Sequence, residues 1–239
     1  MIPKIIHYTW FGGNPMPPLA QECIGSWQRL MPDWDYRLWN EENFDVARLP
    51  YTREAYAAGK YAFVSDVVRL EALYREGGIY LDVDFEVFKP FDDLLDNHAF
   101  AGFEGSKHLP VMMGVCGSEA GGIWVKEMLD AYEGRPFLVD GKPDLTPNVT
   151  FLSGVMRSRG LLQNGKEQYY RDLHIYPVDY FCPRQTTGEY LRTDNTYCDH
   201  RGLNSWSSGK GGWKQCLKRL VGDRCMTFLI KTKRRLTRC

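Results

Sequence analysis

Residues 61–88 read YAFVSDVVRLEALYREGGIYLDVDFEVF, and this stretch decides the fold. At 100° per residue, Phe63, Val64, Val67, Val68, Leu70 and Tyr74 make one apolar stripe, which predicts a helix over 61–76 that stops at Gly77-Gly78. Ser65, Asp66, Arg69 and Glu76 fall opposite the stripe, and Asp66 and Arg69 are i, i+3 neighbours able to present an anion and a cation to one spot. Such a pair alone is more often a solvated helix face. From Ile79 to Phe88 the residues alternate and predict a strand, with Ile79, Leu81, Val83, Phe85 and Val87 on one face. Tyr80, Asp82, Asp84 and Glu86 occupy the other. Carboxylates at every second position lie ~7 Å apart and repel one another, and a divalent cation relieves the repulsion. A water-facing edge strand carries Lys or mixed signs instead.

Outward from this stretch the pattern alternates strand and helix. Strands are expected over 2–10, 36–39, 98–103 and 111–116, with an extended segment over 173–181. Helices are expected over 19–30, 123–132 and 149–158, and a loop over 199–212. The class is α/β, and the crevice at the strand ends is the expected site. Asp33-Trp34-Asp35 is a second Asp-x-Asp, but it follows a helix stop and lacks the helix, Gly-Gly and apolar strand around it.

The 239 residues have a formal net charge of zero, yet ten of the thirty basic residues and one of the thirty acidic residues fall in 210–239. Residues 1–212 therefore read as one domain and 213–239 as a basic amphipathic tail, WKQCLKRLVGDRCMTFLIKTKRRLTR before the last Cys. Leu217, Leu220, Val221, Phe228, Leu229 and Ile230 interleave with the basic residues, which suits an anionic membrane surface and not nucleic acid. Seven cysteines with no Cys-x-x-Cys pair argue against a disulfide framework and for a reducing compartment. With no secretory signal pattern and no run of eighteen apolar residues, the expected location is cytoplasmic, peripheral on the inner membrane face. Asn148-Val149-Thr150 matches a glycosylation acceptor but would need a secretory route.

SDVVRLEALYREGGIYLDVDFEV, Ser65 to Val87, resembles the sugar-binding region of the DXD-containing glycosyltransferases, which include bacterial capsule and lipopolysaccharide enzymes and fungal mannosyltransferases and are related to glucosylating toxins. IPKIIHYTWFGG (2–13) resembles that family's first strand, PDWDYRLWNEENF (32–44) its second strand region, and HRGLNSW (200–206) its C-terminal His-x-x-x-x-Ser-Trp signature. The resemblance implies a GT-A fold with a mixed central sheet flanked by helices, and a retaining transfer from a nucleotide-sugar, UDP-linked or GDP-mannose, to a glycan or lipid-linked hydroxyl in surface polysaccharide synthesis. It also implies a Mn²⁺ cofactor, with Mg²⁺ as the substitute. Carried over by position, Asp82 and Asp84 are catalytic, and Asp84 and His200 hold the metal. Tyr8 and Trp10 lie at the donor base. Ser65, Asp66, Arg69, Tyr80, Asp82 and Asn148 contact ribose or sugar, and Ser205 and Trp206 hold the diphosphate. Two other readings compete: a non-catalytic membrane module on a degenerate transferase fold, and, ranked well below, a phosphatase using Asp-x-Asp as nucleophile, whose motif expects Thr or Val where Glu86 stands.

Overall fold

A computed structural model describes residues 1–105, 110–184 and 189–202. Eleven strands and five α-helices are present among them. The strands are β1 Ile5–Thr9, β2 Asp35–Trp39, β3 Gly78–Leu81, β4 Phe85–Val87, β5 Ala99–Phe103, β6 Val111–Ser118, β7 Leu138–Val139, β8 Lys142–Pro143, β9 Gln168–Tyr170, β10 Leu173–Tyr176 and β11 Cys198–His200. The helices are α1 Pro18–Leu30, α2 Pro50–Ala57, α3 Tyr61–Glu76, α4 Ile123–Asp130 and α5 Asn148–Ser158.

Seven strands form one sheet in the order β2-β1-β3-β6-β5-β10-β9. β2, β1 and β3 run parallel, β6 is antiparallel to β3 and β5, and β10 returns parallel to β5. The carboxyl ends of β1, β3, β5 and β10 therefore share one edge of the sheet, where a crevice forms in α/β architectures. The expected class, α/β with a mixed sheet flanked by helices, is what the chain adopts. One face packs under α3 and α4 through Val64, Val68, Leu73, Trp124 and Met113. The other packs under α1 through Ile6, Trp27, Leu81, Phe100 and Phe181.

The α3-to-β3 connection works as the sequence implies. The Gly77 N–H closes the helix on the Leu73 carbonyl at 2.9 Å, and Gly77 and Gly78 take φ of 67° and 107°. Gly78 also lies tight against β1: a Cβ there would lie 2.7 Å from the Ile5 carbonyl oxygen and 3.1 Å from His7 Nε2. His7, which the sequence assigns no role, is a core residue at this seam. Its Nε2 donates to Gly77 O at 2.7 Å and its Nδ1 accepts from Trp39 Nε1 at 3.1 Å.

The segment 79–88 departs from the expectation. It is not one strand: β3 ends at Leu81, residues 82–84 turn, and β4 pairs antiparallel with β11 in a separate ribbon. The Phe85 N–H donates to Asp82 O at 3.1 Å, Trp27 Nε1 donates to Phe85 O at 2.7 Å and Val87 N to Ser26 Oγ at 3.0 Å. α1 thus pulls β4 out of the main sheet, and the apolar alternation reflects burial on both sides of the turn. The segment 199–212, expected as loop, begins inside a strand, because Cys198–His200 is β11. α2 and the β7–β8 hairpin were not anticipated.

Gly78→Ala should destabilise the protein by at least about 2 kcal/mol, from left-handed strain and the clash with β1. Urea denaturation monitored by tryptophan fluorescence checks it, as a lower midpoint with an unchanged slope.

Candidate functional site

α3 is buried along most of its length, and this corrects the expectation for its polar side. Ser65, Asp66 and Arg69 are 9%, 7% and 5% exposed, so they face the protein and not solvent. Asp66 and Arg69 still meet as the i, i+3 spacing requires: Arg69 Nη2 donates to Asp66 Oδ1 at 3.1 Å. The same guanidinium donates to Met113 O at 2.7 Å, to Ser65 O through Nε at 3.2 Å and to Asp82 Oδ2 at 3.4 Å. It lies 4.6 Å from the Tyr80 ring centroid. A buried guanidinium with this many acceptors stays charged, and its removal would leave buried anions uncompensated, a loss of about 3–5 kcal/mol.

Asp82 is held from beneath. Tyr80, fully buried, donates its hydroxyl to Asp82 Oδ1 at 2.8 Å, and that hydroxyl also lies 3.0 Å from Thr9 Oγ1. Thr9 in turn donates to Ser65 Oγ at 2.8 Å. The ends of β1, α3 and β3 are thereby tied through hydroxyls. The backbone N–H of Asp82 donates to Gly114 O at 2.8 Å, and only a glycine allows this approach: a Cβ at Gly114 would stand 2.7 Å from the Phe85 ring and 2.8 Å from Asp82 Oδ2.

Asp84 and His200 are 116 residues apart, yet His200 Nε2 lies 3.1 Å from Asp84 Oδ2. Register explains it: His200 pairs with Phe85, its ring stacks on the Phe85 ring at 4.7 Å and 8°, and the Arg201 N–H donates to Asp84 O at 2.8 Å. The remaining acid of the run, Glu86, bonds Arg201 away from this cluster.

Charge collects here. Burial raises Asp82, Arg69 opposes the rise, and Asp84 adds to it. Burial pushes Asp66 up to about 7 against the pull of Arg69. Glu104, one residue past β5, is raised to about 7 by burial, offset by His200 and enhanced by Asp82. Burial would lower His200, but the hydrogen bond and charge of Asp84, helped by Asp82 and Glu104, overcome it and lift the imidazole to about 9. Glu104, Thr9 and Gly114 escaped the sequence reading. Glu104 follows β5 and Thr9 ends β1 at the shared edge, while Gly114 lies inside β6 beside the end of β3, placements visible only once the sheet order is known.

Among the described residues, no three His, Cys, Asp or Glu side chains stand in a ready metal cluster. The donor chemistry nevertheless fits a hard divalent cation in part. Asp84 and His200 are in contact, Asp82 is its electrostatic neighbour, and diphosphate oxygens and water commonly supply the rest of such a shell. Trp10 stands at the end of β1 with Nε1 donating to Asn14 O, and Tyr8 packs edge-on against Trp27 at 5.9 Å. Asn148 opens α5 with its Nδ2 buried and without a partner. Ser205 and Trp206 lie outside the described residues. Asp33 pairs with Lys4 at 3.0 Å before the start of β2, at the opposite end of the sheet, so the second Asp-x-Asp is structural.

Residues 17–101 match the family model described as "Glycosyltransferase sugar-binding region containing DXD motif", which bears out the resemblance read from the sequence. Inositol phosphoceramide mannosyltransferase 3 of Schizosaccharomyces pombe is 39% identical over 98 residues, covering 39% of this chain and 27% of that protein. Mannosyl phosphorylinositol ceramide synthase CSH1 of Saccharomyces cerevisiae is 33% identical over 108 residues, covering 42% and 27%. The chain thus spans about a quarter of the length of these curated relatives. Among solved structures, apo mouse xyloside xylosyltransferase 1 aligns over 84% of this chain and 98% of its own with a TM-score of 0.46 and 12% identity. The galactosyltransferase LgtC with donor and acceptor sugar analogues aligns over 95% of each chain with a TM-score of 0.40 and 13% identity.

In the metal-free protein, His200 should titrate near 9 by NMR, and Asp84→Asn should bring it down. The raised value means that the Asp84–His200 pair contributes stability in full below the unfolded-state value of about 6.5. That contribution fades as pH rises through about 9. A His200 titrating at or below 6.5 in the wild type would contradict the pairing.

Proposed function

We propose that this chain is a metal-dependent glycosyltransferase of the GT-A type, moving a hexose from a nucleotide-sugar to a glycan or lipid-linked hydroxyl, with retention of configuration. The observation that carries the reading is the contact of Asp84 with His200, beside Asp82 and the Asp66–Arg69 pair, at the carboxyl edge of the sheet. A degenerate binding module would have no need to keep this set together. A phosphatase would need a free nucleophilic Asp82, whereas Asp82 is tied to Tyr80 and Arg69.

Asp84 and His200, with Asp82, are the groups that would hold Mn²⁺ or Mg²⁺. Such an ion supplies Lewis-acid charge compensation to the departing diphosphate. The remaining work falls to the chain. Asp66 accepts from sugar hydroxyls while Arg69 fixes its carboxylate, so the ring is oriented before the acceptor arrives. Tyr80 and Thr9 lock the rotamer of Asp82 from below. The low exposure of Asp66, Arg69 and Asp84 keeps bulk water from the donor, which strengthens each electrostatic contact and limits hydrolysis. Trp10 is assigned the stacking of the base, and Ser205 and Trp206 the diphosphate.

The names of the fungal relatives favour a mannosyl donor and an inositol-phosphate lipid acceptor within the wider class of UDP- and GDP-hexoses. Among the described residues no helix is long and apolar enough to cross a membrane. A lipid-linked acceptor would be met at a surface, and the basic segment 213–239 is assigned that role, at the cytoplasmic face of the membrane.

With Mn²⁺ and a panel of UDP- and GDP-hexoses, the wild type should release free sugar slowly and transfer faster when acceptor is present. Asp84→Ala should fold but lose at least a hundredfold in turnover, roughly the scale of a lost charge-stabilising group; wild-type turnover in that variant at saturating donor would refute the assignment. For the tail, ending the chain after Gly212 should abolish cosedimentation with phosphatidylserine vesicles while leaving sugar release intact. Unchanged vesicle binding would end that part of the reading.

A further inference from the structure

Asn40 and Asn43 build the turn that follows β2. The Asn40 N–H donates to Asn43 Oδ1 and the Glu42 N–H to Asn40 Oδ1, both at 2.9 Å, while Asn43 Nδ2 donates to Leu38 O at 2.8 Å. Phe44 ends the turn in the core, where its ring meets that of Phe11 edge-on at 6.3 Å. This frame carries Glu41 to the loop that leaves β1. Glu41 Oε1 accepts from the Gly12 N–H at 2.6 Å and from the Tyr56 hydroxyl of α2 at 3.0 Å.

The loop that Glu41 grips is 10–14. The Trp10 N–H donates to Trp39 O at 3.0 Å, so the loop leaves the carboxyl end of β1 beside that of β2. Gly12 and Gly13 turn the chain back with φ of 91° and 65°. A Cβ at Gly12 would run into the ring of Tyr61 at the start of α3, and Tyr61 packs on Tyr56 with centroids 5.4 Å apart. Trp10 Nε1 donates to Asn14 O, which ties the indole across the same loop. Thr9, its neighbour in the chain, bonds Ser65 and Tyr80, and Tyr80 bonds Asp82. The inner end of the loop is thus built into the Asp82 network, and its outer end is held by Glu41.

Two adjacent glycines leave a backbone many conformations. A carboxylate that accepts from the loop's own N–H and from a helix hydroxyl selects one of them before any ligand arrives. The ordering is then complete at folding and does not oppose binding.

We propose that Glu41, braced by Tyr56, is a positioning residue for the donor nucleoside: it holds loop 10–14 in the form in which Trp10 meets the base. This deepens the proposed function and rests on its assignment of Trp10 to the base. Glu41 touches neither sugar nor metal. Its removal raises the donor KM and leaves kcat unchanged, because the interaction it prepares is equal in ground and transition states.

The test compares wild type with Glu41→Ala, Glu41→Gln, Trp10→Ala and the Glu41→Ala/Trp10→Ala pair, below the melting range of each. Calorimetry measures UDP and GDP affinity with Mn²⁺ and affinity for Mn²⁺ alone, and sugar release gives KM and kcat. Glu41→Ala should weaken the preferred nucleoside diphosphate about fivefold and raise the donor KM alike. Mn²⁺ affinity and kcat should stay at wild-type values. Glu41→Gln, whose amide oxygen still accepts from Gly12 and Tyr56, should restore the affinity. In the Trp10→Ala background, Glu41→Ala should cost nothing more. Unchanged nucleotide affinity, weaker Mn²⁺ binding, no rescue by Gln, a full further loss in the Trp10→Ala background or failure of Glu41→Ala to fold would overturn the proposal. Two results strike the underlying reading instead: wild type binding neither UDP nor GDP, or Trp10→Ala binding both as wild type does.

Discussion

The Arg69 guanidinium is the point on which the site is built. It is almost fully buried, so its N–H groups need acceptors from the protein. The Ser65 and Met113 carbonyls and the Asp66 and Asp82 carboxylates supply them. Those acceptors come from α3, β6 and the turn after β3. One planar cation therefore sets the distance between a helix and two strands, and fixes two carboxylates at the mouth of the sheet. Lysine could not repeat this, since a single ammonium on a flexible stem lacks the fork that reaches both carboxylates and a carbonyl at once.

The second constraint is the ribbon formed by β4 and β11. A three-residue turn after β3 ends the main-sheet pairing, and α1 captures the departing strand through Trp27 and Ser26. β11 can then pair with β4 in a register that sets His200 against Phe85, and the imidazole faces Asp84 as a consequence. Asp82 and Asp84 differ in what holds them for the same reason. One belongs to the end of the main sheet and is gripped by Tyr80 and Arg69, and the other belongs to the ribbon and is gripped by His200. An Asp-x-Asp straddling the break between two sheets can bring a rigid group and a separately positioned group to one cation.

Much of this was legible in the residues. The 3.6-residue stripe of Phe63, Val64, Val67 and Val68 and the Gly77-Gly78 stop gave α3 to the residue, because helix periodicity and left-handed glycines are local signals. The i, i+3 relation of Asp66 and Arg69 was local as well. The acids at 82 and 84 were found, but the strand drawn through them was wrong. Alternation in Ile79 to Val87 is equally consistent with one amphipathic strand and with two short strands buried on both sides of a turn. Long-range contacts choose between them: Trp27 to Phe85, Ser26 to Val87 and the pairing of β4 with β11. Glu104 was invisible for a related reason: it sits in no motif, and its place at the site is created by the β5–β6 pairing. His200 was reached through the resemblance to a family signature and not through any local pattern.

The distribution of charge separates the site into two halves with different work. Around Asp84 the carboxylates of Asp82, Asp84 and Glu104 outnumber the cations, and His200 answers by holding a proton well above its usual value. Under the proposed function, Asp84 and His200 would hold a metal ion here in place of that proton, and its charge would offset that of a diphosphate. Asp66, by contrast, already has the Arg69 guanidinium against it. Under the proposed function, the unbalanced half would face the charged end of a nucleotide-sugar and the charge-matched half its neutral ring. Arg69, touching both Asp82 and Asp66, joins the two halves in one hydrogen-bonded unit, so neither carboxylate can move without the other.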